Sequence, residues 1–379
     1  MFSARKISLT TIGTLAIGIS SITPVSAASL YDITGLDFLP SDINDRAQVV
    51  GQQYLWQNGN VTNLTTLSGA NNSNISARAI NNNGTIVGGG LTLNESTSEQ
   101  ETIPDQAFIS DGLTISGLPR DQICTFYCSP NTAEDINDFG TIALVYDVYG
   151  GLVQTSDGTT TNTLLFRSIF NIAINNQEQV IGTGTFSGGF INGILAENGN
   201  QTPLLAASTD PNNPYFPPSA SFANDIDDSG NIVGRSVVIN QSSRLEEATL
   251  WTDANQPGVS LGTLGGATSD ALGVNNSQQI VGNSTLVDDS TQHAFLWEDG
   301  EIIDLNSLIA PESGWELTSA LEINNNGDII GIGTYNGVER GFVARAVPEP
   351  SSVLGILGLG VFGLGSWLKR KKGALPTRL

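Results

Sequence analysis

Clustered carboxylates are the residues of this chain best suited to chemistry. They form two groups: Asp225, Asp227 and Asp228, and Glu134, Asp135 and Asp138. Paired acids can hydrolyse glycosidic bonds, and carboxylate oxygens can bind Ca²⁺. Both groups, however, lie in a repeated segment where Asp and Asn are favoured for turn formation. We therefore interpret them as turn residues and predict no catalytic residue and no metal site. Calcium stays open as a cofactor, although the spacing matches no familiar calcium loop.

The remaining reactive residues are one histidine and two cysteines. His293 is the only histidine, which excludes a multi-histidine metal site. It begins a repeated strand motif, so we interpret it as structural rather than as part of a Ser-His-Asp triad. Cys124 and Cys128 are four residues apart. A small-loop disulfide is favoured in an oxidising compartment, and free thiols are the alternative.

A hairpin motif that occurs seven times must position these residues. Its clearest copy runs from Ile323 to Gly331. Asn324 suits the first position of a type I turn, and Gly327 suits the left-handed position after it. The other copies begin at Ile43, Ile80, Ile136, Ile174, Ile226 and Val274. The turn glycine is replaced in three of them, by Ala47, Glu178 and Gln278.

A second hairpin follows most copies of the first. It is clearest from His293 to Leu305, with Asp299-Gly300 at its turn. Each repeat therefore supplies four strands, and the repeat period is that of a propeller blade. The chain also has 43 glycines and no long amphipathic helical pattern. We predict an all-β fold, a seven-bladed β-propeller of four-stranded repeats.

The two ends of the repeat array are complementary. Residues 31–36 resemble a fourth strand that stands alone before the first hairpin, and the last repeat stops after a third strand at 341–344. Pairing of these segments would close the ring and remove two exposed strand edges. We therefore predict that the N-terminal strand completes the final blade.

Both termini carry targeting features outside the propeller, which we place at residues 29–346. Residues 1–28 read as a signal peptide, with Arg5 and Lys6 before a short apolar stretch. Residues 347–379 begin with Val347, Pro348, Glu349 and Pro350 and end in a basic tail. The apolar run between them, residues 353–368, is predicted to be a separate transmembrane helix. Its basic end would stay cytoplasmic, which places the β region outside the inner membrane.

The C-terminal segment resembles the PEP-CTERM sorting signal. The resemblance rests on Pro348-Glu349-Pro350, one hydrophobic segment and a basic end, in that order. It implies that an exosortase, a membrane-embedded cysteine transpeptidase, recognises the motif and processes the tail. Proteins with this signal occur in bacteria that make exopolysaccharide and biofilm. The resemblance covers only the tail and implies sorting, not activity.

The body resembles the extracellular HAF repeat proteins. His293-Ala294-Phe295 keeps the triplet that names them, and residues 261–266 form another typical segment. Gln106-Ala107-Phe108 and Glu247-Ala248-Thr249 depart from the triplet. The resemblance carries over no catalytic residue.

The charge of the chain excludes some partners. It contains 15 Lys and Arg against 37 Asp and Glu, a formal net charge of −22. Every lysine lies in the terminal segments, so the β region repels nucleic acid. Three long insertions, at 89–105, 119–132 and 206–221, are predicted on one face of the ring, where binding usually occurs. They contain the possible ligand-contact residues Phe126, Tyr127, Tyr215 and Phe216.

Together these features predict an exported structural or binding module without enzyme activity. It would be anchored transiently in the inner membrane, then lie at the cell surface or in the extracellular matrix, with polysaccharide as a possible partner. The alternative is a secreted polysaccharide-active enzyme, a glycosidase or lyase. Acids that converge in a pocket on the loop-bearing face would favour the enzyme. A central channel lined by backbone and turn residues would favour the module.

Overall fold

The computed structural model describes residues 30–70, 74–91, 106–118, 132–146, 150–155, 160–163, 167–185, 191–207, 220–240, 243–287 and 290–347. Within these ranges the fold is all-β and has a β-propeller arrangement. Two short 3₁₀ helices, η1 (Leu64–Thr66) and η2 (Leu305–Leu308), are the helical elements of this part of the chain.

The strands follow the two hairpin motifs of the sequence. In the first part of the chain they are β1 (Tyr31–Leu36), β2 (Asp42–Ile43), β3 (Gln48–Gly51), β4 (Tyr54–Gln57), β5 (Asn60–Asn63), β6 (Ser76–Ile80), β7 (Ile86–Leu91), β8 (Gln106–Ser110), β9 (Ile115–Gly117), β10 (Thr132–Ile136), β11 (Thr141–Tyr146), β12 (Gly150–Thr155), β13 (Thr160–Thr163) and β14 (Arg167–Ile174).

In the second part they are β15 (Val180–Thr185), β16 (Ile191–Glu197), β17 (Asn200–Pro203), β18 (Ser221–Ile226), β19 (Ile232–Asn240), β20 (Ser243–Trp251), β21 (Val259–Gly262), β22 (Gly265–Val274), β23 (Ile280–Leu286), β24 (Gln292–Glu298), β25 (Glu301–Asp304), β26 (Trp315–Ile323), β27 (Ile329–Tyr335) and β28 (Val338–Ala346).

These strands form five sheets, so the prediction of seven separate blades is wrong. Three sheets have four strands: β2 to β5, β14 to β17, and β26 to β28 with β1. The other two have eight strands each, β6 to β13 and β18 to β25. In the first of these, Thr132 of β10 pairs with Gly89 of β7. In the second, Thr268 of β22 pairs in parallel with Glu246 of the long strand β20. Strands that extend beyond their own hairpin thus merge sheets that the repeat pattern separates.

The predicted fold also included a transmembrane helix at residues 353–368, which the structure does not support. The portion of the chain that the structure describes has no helix with the length and apolar character needed to cross a membrane. Residues 353–368 themselves lie outside the described residues.

The predicted closure by the N-terminal strand is confirmed. β1 pairs antiparallel with β28 along its whole length, from Tyr31 opposite Ala346 to Leu36 opposite Gly341. The first and last strands of the described chain therefore complete one four-stranded sheet. This contact joins segments more than 300 residues apart and leaves neither as an unpaired strand.

The backbone of the repeated turn has the predicted conformation. Gly84, Gly140, Gly230 and Gly327 all have positive φ, between 81° and 85°. The three residues that replace glycine, Ala47, Glu178 and Gln278, keep the same left-handed backbone, with φ of 53°, 58° and 60°. Each of these three substitutions strains the backbone by roughly 1 kcal/mol.

The strand that follows each turn is buried on both faces. Ile329 is fully buried against Leu317 and Phe342, and Ile330 is fully buried in a different cluster, with Leu36 and Val343. Adjacent residues of a strand point to opposite faces, so each sheet is covered on both sides. The glycine that follows, Gly331, is required by close packing, since a Cβ there would lie 2.1 Å from the Ser319 carbonyl oxygen.

The turn assignment predicts the effect of replacing Gly327. A Cβ at this position meets only Gln279 Oε1, at 3.7 Å, so the cost of Gly327→Val arises from the backbone. We expect a loss of about 1–2 kcal/mol in the free energy of unfolding, measured by denaturant titration. Gly327→Asn is the matched control, because Asn tolerates the left-handed region. An equal loss in both variants would contradict the assignment.

Candidate functional site: the central channel

The seven repeated turns meet around a channel, and the first Asn of each turn joins it to the next. Its Nδ2 donates to a backbone carbonyl oxygen of the following turn, at 2.9–3.1 Å, in six of the seven cases. The pairs are Asn44 with Asn81, Asn81 with Asn137, Asn137 with Asn175, Asn175 with Asp227, Asn275 with Asn324, and Asn324 with Asn44. The exception is Asp227, whose carboxylate has no N–H to donate and accepts from Asn231 Nδ2 at 2.7 Å.

The second residue of each turn forms another ring, and this one is complete. Its backbone N–H donates to the side-chain oxygen of the corresponding residue in the next turn, at 2.7–2.9 Å. The ring runs Asp45, Asn82, Asp138, Asn176, Asp228, Asn276, Asn325 and back to Asp45. The closing bond, from Asn325 to Asp45, spans 280 residues of sequence.

Four carboxylates line the channel just inside these rings. Each is the residue immediately before the first apolar residue of the turn motif: Asp42, Asp135, Asp225 and Glu322. They face a cavity of about 270 Å³. Their side chains remain partly open to this cavity while protein encloses them on every other side.

Each of the three aspartates bridges two turns. Asp42 Oδ1 accepts from the backbone N–H of Ile43, its own neighbour, at 2.6 Å. Its Oδ2 accepts from Ile80, in the next turn, also at 2.6 Å. Asp135 and Asp225 repeat this arrangement at 2.7–2.8 Å, to Ile136 with Ile174 and to Ile226 with Val274.

Glu322 is the odd member of the set. Seven turns present seven backbone N–H groups, and three bridging aspartates accept from six of them. Glu322 Oε1 accepts from the seventh, that of Ile323, at 3.0 Å. The turns without an acid have Ala79, Ala173 and Gly273 at this position. At Gly273, a Cβ would lie 2.6 Å from Glu322 Oε1, so the small residue leaves room for the acid.

Burial dominates the electrostatics of these carboxylates. Desolvation in the channel raises the pKa of Asp42 to about 6 and that of Asp135 and Asp225 to about 7. The pKa of Glu322 is raised well above its ordinary value, first by burial and then by the charges of Asp225 and Asp42. Backbone N–H donors oppose these shifts but do not cancel them. The channel therefore binds protons near neutral pH.

Hydrogen bonding limits what the four acids can do chemically. Both carboxylate oxygens of each aspartate already accept a backbone N–H, in a geometry that crosslinks neighbouring turns. Glycoside hydrolysis needs an acid free to protonate the leaving oxygen and a second carboxylate that meets the sugar or a water. Among the described residues, no three His, Cys, Asp or Glu side chains are arranged to hold a metal ion.

The structure separates the acids that the sequence grouped together. Asp227 is a turn residue, and Asp138 and Asp228 belong to the second ring. Glu134 lies 3.9 Å from Arg78. Asp135 and Asp225 have a different role, in the channel. Sequence reasoning missed their partners Asp42 and Glu322, although an acid before every second copy of the motif is a visible signal.

His293 lies outside the channel, on β24. Its Nδ1 is 2.7 Å from Asp304 Oδ2, and Asp304 Oδ1 accepts from the backbone N–H of Asn306 in η2. The cross-strand neighbour of His293 is Ser284, whose hydroxyl donates to backbone carbonyls. The corresponding residue of an earlier repeat, Gln106, donates to the Leu118 carbonyl. The side chain at the position of His293 and Gln106 thus joins the third strand of its repeat to the end of the fourth strand or to the residues just beyond it.

Several predicted residues lie outside the described residues. They are Cys124, Cys128, Phe126, Tyr127, Tyr215, Phe216, Pro348, Glu349 and Pro350. Of the sorting motif, the structure describes Val347, which comes directly after β28. Its backbone N–H donates to the carbonyl oxygen of Leu30 at 2.8 Å. Val347, the first of the predicted sorting residues, therefore lies beside the start of β1.

Comparison with known families adds the identity of this segment. Residues 346–371 match the PEP-CTERM protein-sorting motif. The match includes all four predicted sorting residues, from Val347 to Pro350. The motif implies an exported protein that is directed to the cell surface and processed by an exosortase. The HAF resemblance of the body stays a prediction.

Comparisons with whole proteins are distant. No curated protein matches the sequence. Among solved structures, the chain is similar to one in a mitotic checkpoint complex, at 10% identity and TM-score 0.44, with 92% of this chain and 100% of that chain covered. It is also similar to a Trypanosoma rangeli sialidase, at 10% identity and TM-score 0.36, with 92% and 64% covered. A putative glucose dehydrogenase from Thermus thermophilus gives 12% identity and TM-score 0.35, with 83% and 99% covered. Similarities this distant give no information about the activity of this chain.

The ring of bonds made by the first Asn of each turn predicts that removing one of these side-chain amides lowers stability. Asn81 is buried, donates to the Asn137 carbonyl and accepts from the backbone N–H groups of Asn83 and Thr85. We expect Asn81→Ala to lower the free energy of unfolding by about 2–3 kcal/mol, since each lost bond contributes about 1 kcal/mol. Asn81→Asp, which copies Asp227, keeps the acceptor and should cost less. Denaturant titration measures both, and an equal loss in the two variants would show that the bonds accepted from Asn83 and Thr85 contribute nothing.

The channel acids predict an unusual pH dependence. Their folded-state pKa values exceed those of the unfolded chain, so the folded protein holds protons that the unfolded chain releases between about pH 4 and 7. Their contribution to stability is complete below this window and is lost as the pH rises through it. We expect a higher melting temperature at pH 5.5 than at pH 8, measured by differential scanning calorimetry.

Glu322→Gln tests the source of this dependence. The amide oxygen can still accept from Ile323, but the charge is gone. We expect the variant to melt above the wild type at pH 8 and close to it at pH 5.5. Glu312→Gln, at an exposed acid, should change neither value. A Glu322→Gln variant no more stable than the wild type at pH 8 would show that charge in the channel is not limiting.

Proposed function

We propose that this protein is an exported structural or binding module that the PEP-CTERM tail delivers to the cell surface or extracellular matrix, where it associates with exopolysaccharide. The match at residues 346–371 carries the proposal. Proteins with this signal go with exopolysaccharide production, as the sequence resemblance implies. The resemblance to extracellular HAF repeat proteins agrees with the same location.

An exosortase-type enzyme is the processing partner in this proposal. The chain resides transiently at the inner membrane, the enzyme recognises Pro348-Glu349-Pro350, and the tail is removed or exchanged. The motif follows the ring directly in the sequence. The last described strand, β28, ends at Ala346, so the motif begins as soon as the pairing with β1 ends.

The channel supports a structural role for its acids over a catalytic one. Asp42, Asp135 and Asp225 each accept two backbone N–H bonds that hold adjacent turns together. An enzyme that used these residues would have to break the contacts that close the ring. The proposed module needs no cofactor. A glycosidase or lyase remains the alternative, and hydrolysis of the polysaccharide with which the protein associates would favour it.

Replacement of both prolines tests the sorting step. In cells that express the wild type, we expect surface-localised protein without the C-terminal Arg378-Leu379 peptide, as measured by mass spectrometry. The double variant Pro348→Ala with Pro350→Ala should accumulate in the inner-membrane fraction with that peptide intact. Ser351→Ala with Ser352→Ala is the matched control, because it changes neighbouring residues and keeps the motif.

Two outcomes would contradict the proposal. The first is a surface-localised wild type that retains Arg378-Leu379, which would mean that the tail is not processed. The second is a proline variant that is processed and localised like the serine control, which would mean that the motif is not what the processing enzyme recognises.

A further inference from the structure

A second cavity lies where the first and last strands of the described chain meet. Its volume is about 500 Å³, within the range of small-molecule sites. The N-terminal strand β1 contributes Ile33 and Gly35, and the C-terminal strands contribute Trp315 and Tyr335. The segment after η2 forms another wall, at Ile309 and Ala310. The pocket thus exists only when the ring is closed.

Two aromatic side chains form a platform in this pocket. The ring centroids of Trp315 and Tyr335 are 5.2 Å apart, with 39° between the ring planes. Trp315 also packs edge-on against the buried ring of Phe342, at 6.2 Å. Tyr335 is 40% exposed although it is large and partly apolar. Trp315 is therefore held against the core through Phe342, and the ring of Tyr335 is partly open to solvent.

Gly35 makes room for the tryptophan. A Cβ at residue 35 would lie 3.1 Å from Trp315 Cζ2, which is tighter than ordinary packing. The strand that closes the ring therefore carries its one glycine at the place where the indole crosses it. Because the indole fills this space, its position is fixed before any ligand arrives, which lowers the entropy cost of binding.

Polar groups surround the aromatic platform. Asp32, Ser313 and Arg340 line the same cavity. The guanidinium of Arg340 is paired with Asp37, with Nη1 to Oδ1 at 2.6 Å, so it donates hydrogen bonds without presenting an unbalanced charge. A rigid aromatic face with a rim of hydroxyl, carboxylate and guanidinium groups suits a ligand that has an apolar face and hydroxyl groups at its edge.

We infer that this pocket binds neutral sugar rings of a polysaccharide, with Trp315 and Tyr335 stacking on the face of the ring. The inference rests on the proposed function and names its binding site. C–H groups on one face of a pyranose pack on an aromatic ring, and the hydroxyls at its edge reach Asp32, Ser313 and Arg340. The large negative charge of the chain disfavours anionic sugars and selects neutral ones.

Oligosaccharide binding by the exported, surface-released protein tests the inference. The probes are neutral gluco-, galacto- and manno-oligosaccharides of several lengths, printed on an array. Hits are titrated in solution by tryptophan fluorescence. We expect saturable binding by the wild type and roughly tenfold weaker binding by Tyr335→Ala, in line with the loss of one aromatic contact. Phe139→Ala is the matched control, because Phe139 is 77% exposed on a repeated turn and should leave binding unchanged.

Trp315 variants separate stacking from folding. Trp315→Phe keeps an aromatic face and should retain part of the affinity that Trp315→Ala loses, while melting temperatures report whether each variant folds. Wild-type binding that Tyr335→Ala and Trp315→Phe both leave unchanged would overturn the pocket and leave the proposed function standing. Absence of wild-type binding to every neutral probe would also overturn it. In that case the sorting experiment still decides the proposed function independently.

Discussion

The fold depends on hydrogen bonds that each repeated turn makes with the next one. Every turn brings backbone N–H and carbonyl groups to the channel wall, where a buried group without a partner costs about 1–3 kcal/mol. Asn side-chain amides donate to the carbonyl groups, and Asn or Asp side-chain oxygens accept from the N–H groups, across the boundary between turns. These bonds are 2.8–3.1 Å long in the turns that begin at Ile80 and Ile136. Because these partners belong to the neighbouring turn, no turn is complete by itself. The ring closes where Asn324 and Asn325 meet Asn44 and Asp45.

The odd number of turns explains where the pattern breaks. Each bridging aspartate accepts the N–H groups of two turns, so three aspartates accept from six of the seven turns. Glu322 accepts the N–H of the seventh. The second ring has the same difficulty. Asp and Asn alternate around it, so that amide donors face carboxylate acceptors, until Asn276 and Asn325 meet as neighbours. The choice of residue at one turn is therefore set by its neighbours in the ring, not by the turn itself.

Because the residue chosen at one turn depends on its neighbours in the ring, the sequence predicts some features of the fold and not others. The left-handed turn residues, the strands buried on both faces and the pairing of β1 with β28 follow from local chemistry and from counting strands. The merging of sheets does not, because it depends on how far β7 and β20 extend beyond their hairpins to reach Thr132 and Thr268. Two of the four channel carboxylates, Asp42 and Glu322, were also missed. Asp42 looks like a turn residue until its second partner, the N–H of Ile80, is known.

The closing strands also connect architecture with sorting. β1 begins at Tyr31, after the predicted signal peptide, and β28 ends at Ala346, where the sorting motif match begins. The predicted signal peptide and the sorting motif thus border the same four-stranded sheet in the sequence, and Val347 bonds to Leu30 at that point. Processing at either terminus can leave the pairing of β1 with β28 intact. A ring without both segments would keep the pairing of β1 with β28, together with the aromatic pocket that β1 and β26 to β28 form between them.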